Sequence, residues 1–227
     1  MKGKIYRVTY NAVKQVAELH MDDGEINCVS MTDDEWKKMI QGDVISNFNK
    51  LLDKKYIIVG AGASGKDWLL QKMKELGYNA MKQYTTREIR DNETGDEYHF
   101  VSEDEFKKIE SEGKFISVNF YRIGWYGVSY DELLNSDVAI LSPANVKDVF
   151  EKHPDVRDRF TIIYLDIPEE VRRERLAKRY TDKVGDDNEI RLANDRKDFN
   201  GFIIWDLCLE SEKMVDDYIN KLSPKLK

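Results

Sequence analysis

The run 56–70 constrains this chain more than any other: an apolar β-type stretch ends in Gly60-Ala61-Gly62-Ala63-Ser64-Gly65, and Lys66, Asp67 and Trp68 then open a helical pattern. Glycines let the backbone curl so that successive N–H groups point inward. The helix N-terminus adds partial positive charge, and Lys66 can reach the outer phosphates of a nucleotide. The spacing Gly60-x-x-x-x-Gly65-Lys66 is that of a phosphate-binding P-loop, with Gly60, Ala63, Ser64, Gly65, Lys66, Asp67 and Trp68 as the binding set. Asp67 stands where the pattern has the Ser or Thr that ligates magnesium. The same glycines also read G-x-G-x-x-G, but a dinucleotide site wants an acidic residue about 20 positions on, and residues 77–83 hold no carboxylate.

A chain of 227 residues with 41% hydrophobic content has room for one α/β domain and a small appendage. Its net charge of -7 and pI near 5.2 argue against a general nucleic-acid or anionic-membrane surface. Cys28 and Cys208 are far apart and have no Cys/His partners at metal spacing, so they read as free thiols, partly buried, in a reducing cytoplasm. There is no export-type apolar region and no long apolar run, so neither export nor a membrane span is expected.

Residues 1–53 read as an α+β extension of unknown role. Strands are expected over 4–10, 13–21 and 25–31, with Asp22-Asp23-Gly24 as a hairpin turn. Thr32 to Glu35 has the form of a capping box, and apolar residues from Trp36 to Leu52 follow at helical spacing, broken near Gly42. His20 has no partner ligands in sequence and reads as a strand or surface residue. From residue 54 to 227 strands and helices alternate. Strands are expected at the P-loop run, 139–141, 160–166 and 202–205, and helices at 67–76, 102–112, 130–135, 146–152, 169–180 and 211–222. That is the layout of a doubly wound parallel sheet with nucleotide at the carboxyl ends of its strands.

Beyond the P-loop helix comes Tyr84-Thr85-Thr86-Arg87, then Arg90, Glu93, Gly95 and Tyr98-His99-Phe100-Val101. Glu112-Gly113-Lys114-Phe115-Ile116 and Trp125-Tyr126-Gly127 follow in order. This succession resembles the guanylate kinase family from about residue 56 to 222, and small phage-type relatives in particular, which share Tyr-Thr-Thr-Arg and an Asn-Asp-Arg like Asn194-Asp195-Arg196. The resemblance implies a P-loop kinase fold with a nucleoside-monophosphate-binding insert and a lid, moving the γ-phosphate of ATP, with Mg2+, to a nucleoside monophosphate. The chain would be a monomer or homodimer whose partners are nucleotides.

Carried onto matching positions, the resemblance puts Arg87, Arg90, Tyr98, Ser117, Tyr126 and Val128 at the acceptor. Arginine forks and tyrosine hydroxyls suit a dianionic phosphate. It puts Arg175, Arg179 and Arg191 over the ATP phosphates, where Lys66 and Arg87 join them as catalytic groups. Arg172 and Arg173, on the same charge-rich helix, fit a solvated face.

The departures concern the base and the metal. Where the family reads guanine with a carboxylate after Phe-Ile, this chain has Ser117; where the family has an Asp-x-Asp after a buried strand, it has Ser142-Pro143-Ala144; and Val128 replaces a hydroxyl. Without a carboxylate to accept the guanine N–H groups, GMP preference should collapse. Asp67 then reads as the replacement metal ligand, direct or through water, or else as a cap of its helix. Gly-Lys-Asp, Tyr-Gly-Val and the missing acids also resemble the ribose 1,5-bisphosphate phosphokinases. A third reading is a guanylate-kinase-like protein-binding module without catalysis, although such a module has no need of Lys66 or the lid arginines.

Overall fold

The apolar run that precedes the P-loop becomes strand β4 (Lys55–Gly60), and Tyr56 to Val59 are all buried, as a parallel strand covered on both faces requires. In the computed structural model the described residues are 5–44, 54–89, 93–121, 124–179 and 186–222. The chain divides into two compact units, residues 55–220 and residues 1–54 with 221–227.

The smaller unit is an antiparallel meander of β1 (Ile5–Asn11), β2 (Val16–Met21) and β3 (Ile26–Ser30). Alternation along β2 buries Ala17, Leu19 and Met21 on one face, where they join Ile5, Val29 and Met31. The expected strand over 13–21 begins only at Val16: Val13 is 96% exposed and Gln15 turns with φ 51°. Helix α1 (Asp33–Met39) starts at the expected capping box, with Thr32 N–H donating to Glu35 Oε2 at 2.7 Å and Glu35 N–H to Thr32 Oγ1 at 3.3 Å. Trp36 from α1 stacks on Tyr10 at 4.7 Å. The stripe beyond residue 44 lies outside the described residues. Cys28 is exposed, not partly buried, and Cys208 is half-buried; both are free.

In the larger unit, helix α2 (Lys66–Glu75) follows the P-loop and the chain then builds two sheets. One is parallel, in the order β11-β10-β4-β9, with β9 at Val138–Ile140, β10 at Phe160–Leu165 and β11 at Leu207–Leu209. Leu165 pairs with Gly60, so β10 and β4 end level beneath the loop. The other sheet, β6-β5-β8-β7, contains β5 (Tyr84–Thr85), β6 (His99–Phe100), β7 (Phe115–Tyr121) and β8 (Gly124–Ser129). Helices α3 (Glu103–Ser111), α4 (Tyr130–Asn135), α5 (Pro143–Lys152), α6 (Pro154–Arg157), α7 (Glu169–Arg179), α8 (Asp186–Asp198) and α9 (Glu212–Ile219) complete it. This mixed α/β unit with a parallel sheet is the P-loop kinase fold.

The expected strand 202–205 is a loop, and the strand lies at 207–209. Ile203 is 82% exposed, while Asp206 anchors the entry to the sheet: its carboxylate accepts from Ile162 N–H at 2.8 Å and pairs with Arg157 at 2.5 Å. Among the described residues no helix is long and apolar enough to cross a membrane.

Candidate active site

At the donor end, the loop's shape follows from local sterics. A Cβ on Gly60 would lie 2.5 Å from Ser64 Oγ, and Gly65, at φ 97°, takes the left-handed N-cap position of α2 with no side-chain cap bond. Ala63 also has positive φ, at 60°. Because Gly65 is the N-cap, Asp67 is not; it lies exposed in the first turn, where its charge complements the helix dipole.

Lys66 Nζ donates to the carbonyls of Gly60 (2.7 Å) and Ala61 (2.9 Å), which leaves the third ammonium hydrogen for another acceptor. Burial holds its pKa below the ordinary lysine value, with Asp67 and Asp195 pulling the other way. Ser64 Oγ is buried without a hydrogen-bond partner. An orphan hydroxyl and a spare ammonium hydrogen in one glycine loop fit a phosphate group. Lys66, Asp67 and Trp68 line a cavity of about 610 Å³ together with Arg175 and Glu212.

Of the arginines expected over ATP, Arg175 donates to Ala63 O at 2.8 Å and pairs with Glu212 of α9. Arg191 is half-buried on α8. Arg179 ends α7, and its side chain lies outside the described residues, as do residues 180–185 of the expected lid. Arg173 pairs with Glu169 and Glu189 near the surface, in keeping with a solvated face, but Arg172 does not. Arg172 is 7% exposed and pairs with Asp195, 5% exposed, at 2.9 Å. Asp195 Oδ2 also accepts from Gly62 N–H at 3.0 Å. This buried pair ties α7 and α8 to the crown of the loop. Sequence reading missed it, because a charge on a charge-rich helix carries no mark of burial.

At the acceptor end, Arg87 follows β5 and is 4% exposed. Its Nη1 and Nη2 donate to Glu93 at 2.7 and 2.6 Å, and Nη1 also donates to Glu88 O at 2.8 Å. Its guanidinium lies over the Tyr98 ring at 4.9 Å. Burial works against its charge, yet the Glu93 hydrogen bonds hold its pKa above the ordinary arginine value. Nε is buried without a hydrogen-bond partner. Glu93 thus occupies the end-on fork and leaves the Nε side, with one Nη2 hydrogen, as a second fork. Tyr98 packs edge-on against Tyr126 at 5.9 Å. Its phenol pKa is raised first by burial, then by Tyr126 and by the Asp67 carboxylate of the donor end. Arg90 lies outside the described residues.

Ser117 pairs in register with Val128, and Asn119 with Tyr126, so these four share one face of the β7–β8 hairpin. Val128 is fully buried in the core and Ser117 is 1% exposed; Ala144 is exposed. The expectation that no carboxylate stands beside Ser117 is corrected by Asp148 of α5, whose Oδ2 lies 2.8 Å from Ser117 Oγ. Asp148 falls outside every quoted motif, and only the packing of α5 on β7 brings it there. Among the described residues no cluster of three His, Cys, Asp or Glu side chains is arranged to hold a metal by itself.

A guanylate kinase from Wigglesworthia glossinidia brevipalpis is 33% identical over 102 residues, 41% of this chain and 49% of that protein, so the match spans about half of the relative's length. The crystal structure of guanylate kinase from Anaplasma phagocytophilum superposes with a TM-score of 0.52 at 18% identity, covering 74% of this chain and 81% of that one, a likeness of fold alone. The guanylate kinase family model matches residues 52–226, from the strand beneath the P-loop through both sheets to the end of α9; the chain belongs to the guanylate kinase family.

Proposed function

We propose that the protein transfers the γ-phosphate of ATP to a nucleoside or deoxynucleoside monophosphate. The observation that carries this reading is the half-used Arg87. A buried guanidinium fixed by Glu93 on one edge, with an orphan Nε on the other, is a preset bidentate donor for a phosphate dianion. Tyr98 and Tyr126 supply hydroxyls beside it, and Arg90 joins them by resemblance to the family. The loop 60–66 is the second anion site in this reading, and the Asp67 carboxylate raises the Tyr98 phenol pKa after burial and Tyr126.

In this reading the loop N–H groups, Ser64 Oγ and Lys66 hold the triphosphate, while Arg175, Arg179 and Arg191 neutralise charge spreading over the transferring group. Arg87 and Tyr98 hold the acceptor phosphate in line, so that positioning supplies much of the rate. Asp67 is the residue that would hold a magnesium ion bound with ATP, directly or through water, and the ion would screen the phosphate charge. One carboxylate would suffice, because protein sites commonly hold magnesium through one or two carboxylates. GMP and dGMP are the acceptors that the family suggests. Measuring ADP formation from Mg-ATP with a panel of ribo- and deoxynucleoside monophosphates tests the proposal. Acceptor-dependent turnover is expected, and its absence for every acceptor would refute it.

A further inference from the structure

Ser142 caps α5, with Asn145 N–H donating to its Oγ at 3.2 Å, and the cap fixes where that helix begins. Asn145 and Asp148 then lie three residues apart on one helix face, which packs on β7. Ser117 Oγ lies 2.8 Å from Asp148 Oδ2 and 3.0 Å from Asn145 Oδ1, and its single proton goes to the stronger acceptor, the carboxylate. Asn119 Nδ2 donates to Ser117 Oγ at 3.1 Å and also reaches Asn145 Oδ1.

The network is buried at Ser117 and Asn145 and half-buried at Asp148. It engages only Oδ2 of Asp148; Oδ1 accepts none of its hydrogen bonds. A carboxylate held by one oxygen, with the other free and the group partly open, is placed to accept from a ligand.

The sheet register says which ligand. Asn119 pairs with Tyr126 across the β7–β8 hairpin, and Tyr126 pairs with Thr85, two residues before Arg87. From Asn119 to the strand that carries Arg87 is two strand spacings, about 10 Å, close to the span from the phosphate of a nucleotide to the far edge of its base. An acceptor whose phosphate lies on Arg87 and Tyr98 therefore brings its base edge to the Ser117 network.

We propose that Asp148, oriented by Ser117 and Asn145, is the specificity-determining carboxylate of the acceptor site. It selects a base with two adjacent N–H donors, the N1–H and 2-amino group of guanine. Adenine and cytosine set a ring-nitrogen acceptor beside their amino group, which a carboxylate repels. Uracil and thymine offer one N–H between two carbonyls. The acid that is missing after Phe115-Ile116 is thus resupplied from α5, which reverses the loss of GMP preference expected from sequence alone. The proposal rests on the reading of the chain as a nucleoside monophosphate kinase.

The test compares GMP with IMP, which lacks only the 2-amino group, in both equilibrium binding and kcat/KM. It uses the unmodified protein, Asp148→Asn and Ser117→Ala. The unmodified protein should favour GMP over IMP by about tenfold or more, and Asp148→Asn should weaken GMP by roughly ten- to a hundredfold, mainly through KM, and collapse the ratio. Ser117→Ala, which frees Oδ2 but loosens the carboxylate, should lower the ratio less. Equal treatment of GMP and IMP by the unmodified protein, or a ratio untouched by Asp148→Asn, would overturn the proposal. If GMP binds through Asp148 but no form turns over, the kinase reading fails and the inference stands. If acceptors turn over without regard to Asp148, the reverse holds. If no nucleoside monophosphate binds, both fail.

Discussion

The proposed donor loop would take its phosphate ligands from one continuous run, Gly60 to Lys66, whereas the proposed acceptor site would draw Arg87, Tyr98, Ser117, Tyr126 and Asp148 from segments on or beside four strands and a helix. Each needs a brace, and the braces are opposite in kind. The loop is braced from far along the chain, by the buried Arg172–Asp195 pair, with Asp195 on the Gly62 amide. Arg87 is braced from six residues away by Glu93. A motif that is local in its ligands is thus global in its support, and the distributed site has a local support. Removing a brace should therefore injure the donor loop through stability and the acceptor site through binding.

The largest effect should come from Asp195→Ala. It strands the Arg172 guanidinium in a buried site and frees the Gly62 amide, at a cost of about 3–5 kcal/mol in stability. Denaturant melts measure the cost, and ATP affinity should fall while the acceptor KM holds. An acceptor-only defect would erase the distinction between the two ends.

Lys66→Ala comes next. Phosphoryl transfer should fall by about two to three orders of magnitude, the loss expected when one preorganised charge is removed from the transition state. The fold should be little affected, because burial already disfavours the lysine's charge. Steady-state rates beside melting curves read both sides.

Arg87→Ala should cost about 2–4 kcal/mol in transition-state binding and appear in the acceptor's KM and kcat, with ATP affinity nearly unchanged. A loss confined to ATP would mean that the two ends have been exchanged.

The smallest effect is a pH dependence. Because burial lowers the Lys66 pKa in the folded protein, the folded form releases that proton more readily than the unfolded form. The contribution of Lys66 to stability therefore rises with pH, from the depressed folded pKa up to the ordinary value. Phosphate favours the charged lysine, so ATP affinity should fall over the same rise. The gap between alkaline melts with and without ATP should narrow as pH rises, and Lys66→Ala should remove that narrowing.

What could be read in the sequence follows the same division. The P-loop, the Thr32–Glu35 capping box and the strand before the P-loop are local patterns, and they lie within a few residues of where the chain alone puts them. The strand expected at 202–205 failed because hydrophobicity does not mark which residues enter the sheet; Asp206, gripped by Arg157 and the Ile162 amide, sets that point. Arg172, Asp195 and Asp148 look like any other charges on polar helices, and their roles come from partners 23 and 31 residues away in sequence. The residues proposed for the acceptor phosphate could be named only through resemblance to a family, since no spacing rule links Arg87 to Tyr126.

The most direct test of the proposed transfer follows the γ-phosphate itself. With ATP labelled at that position and GMP as acceptor, label should appear in GDP with the unmodified protein and almost none with Lys66→Ala. Label that stays in ATP, or that appears only as inorganic phosphate whichever nucleoside monophosphate is supplied, would contradict it.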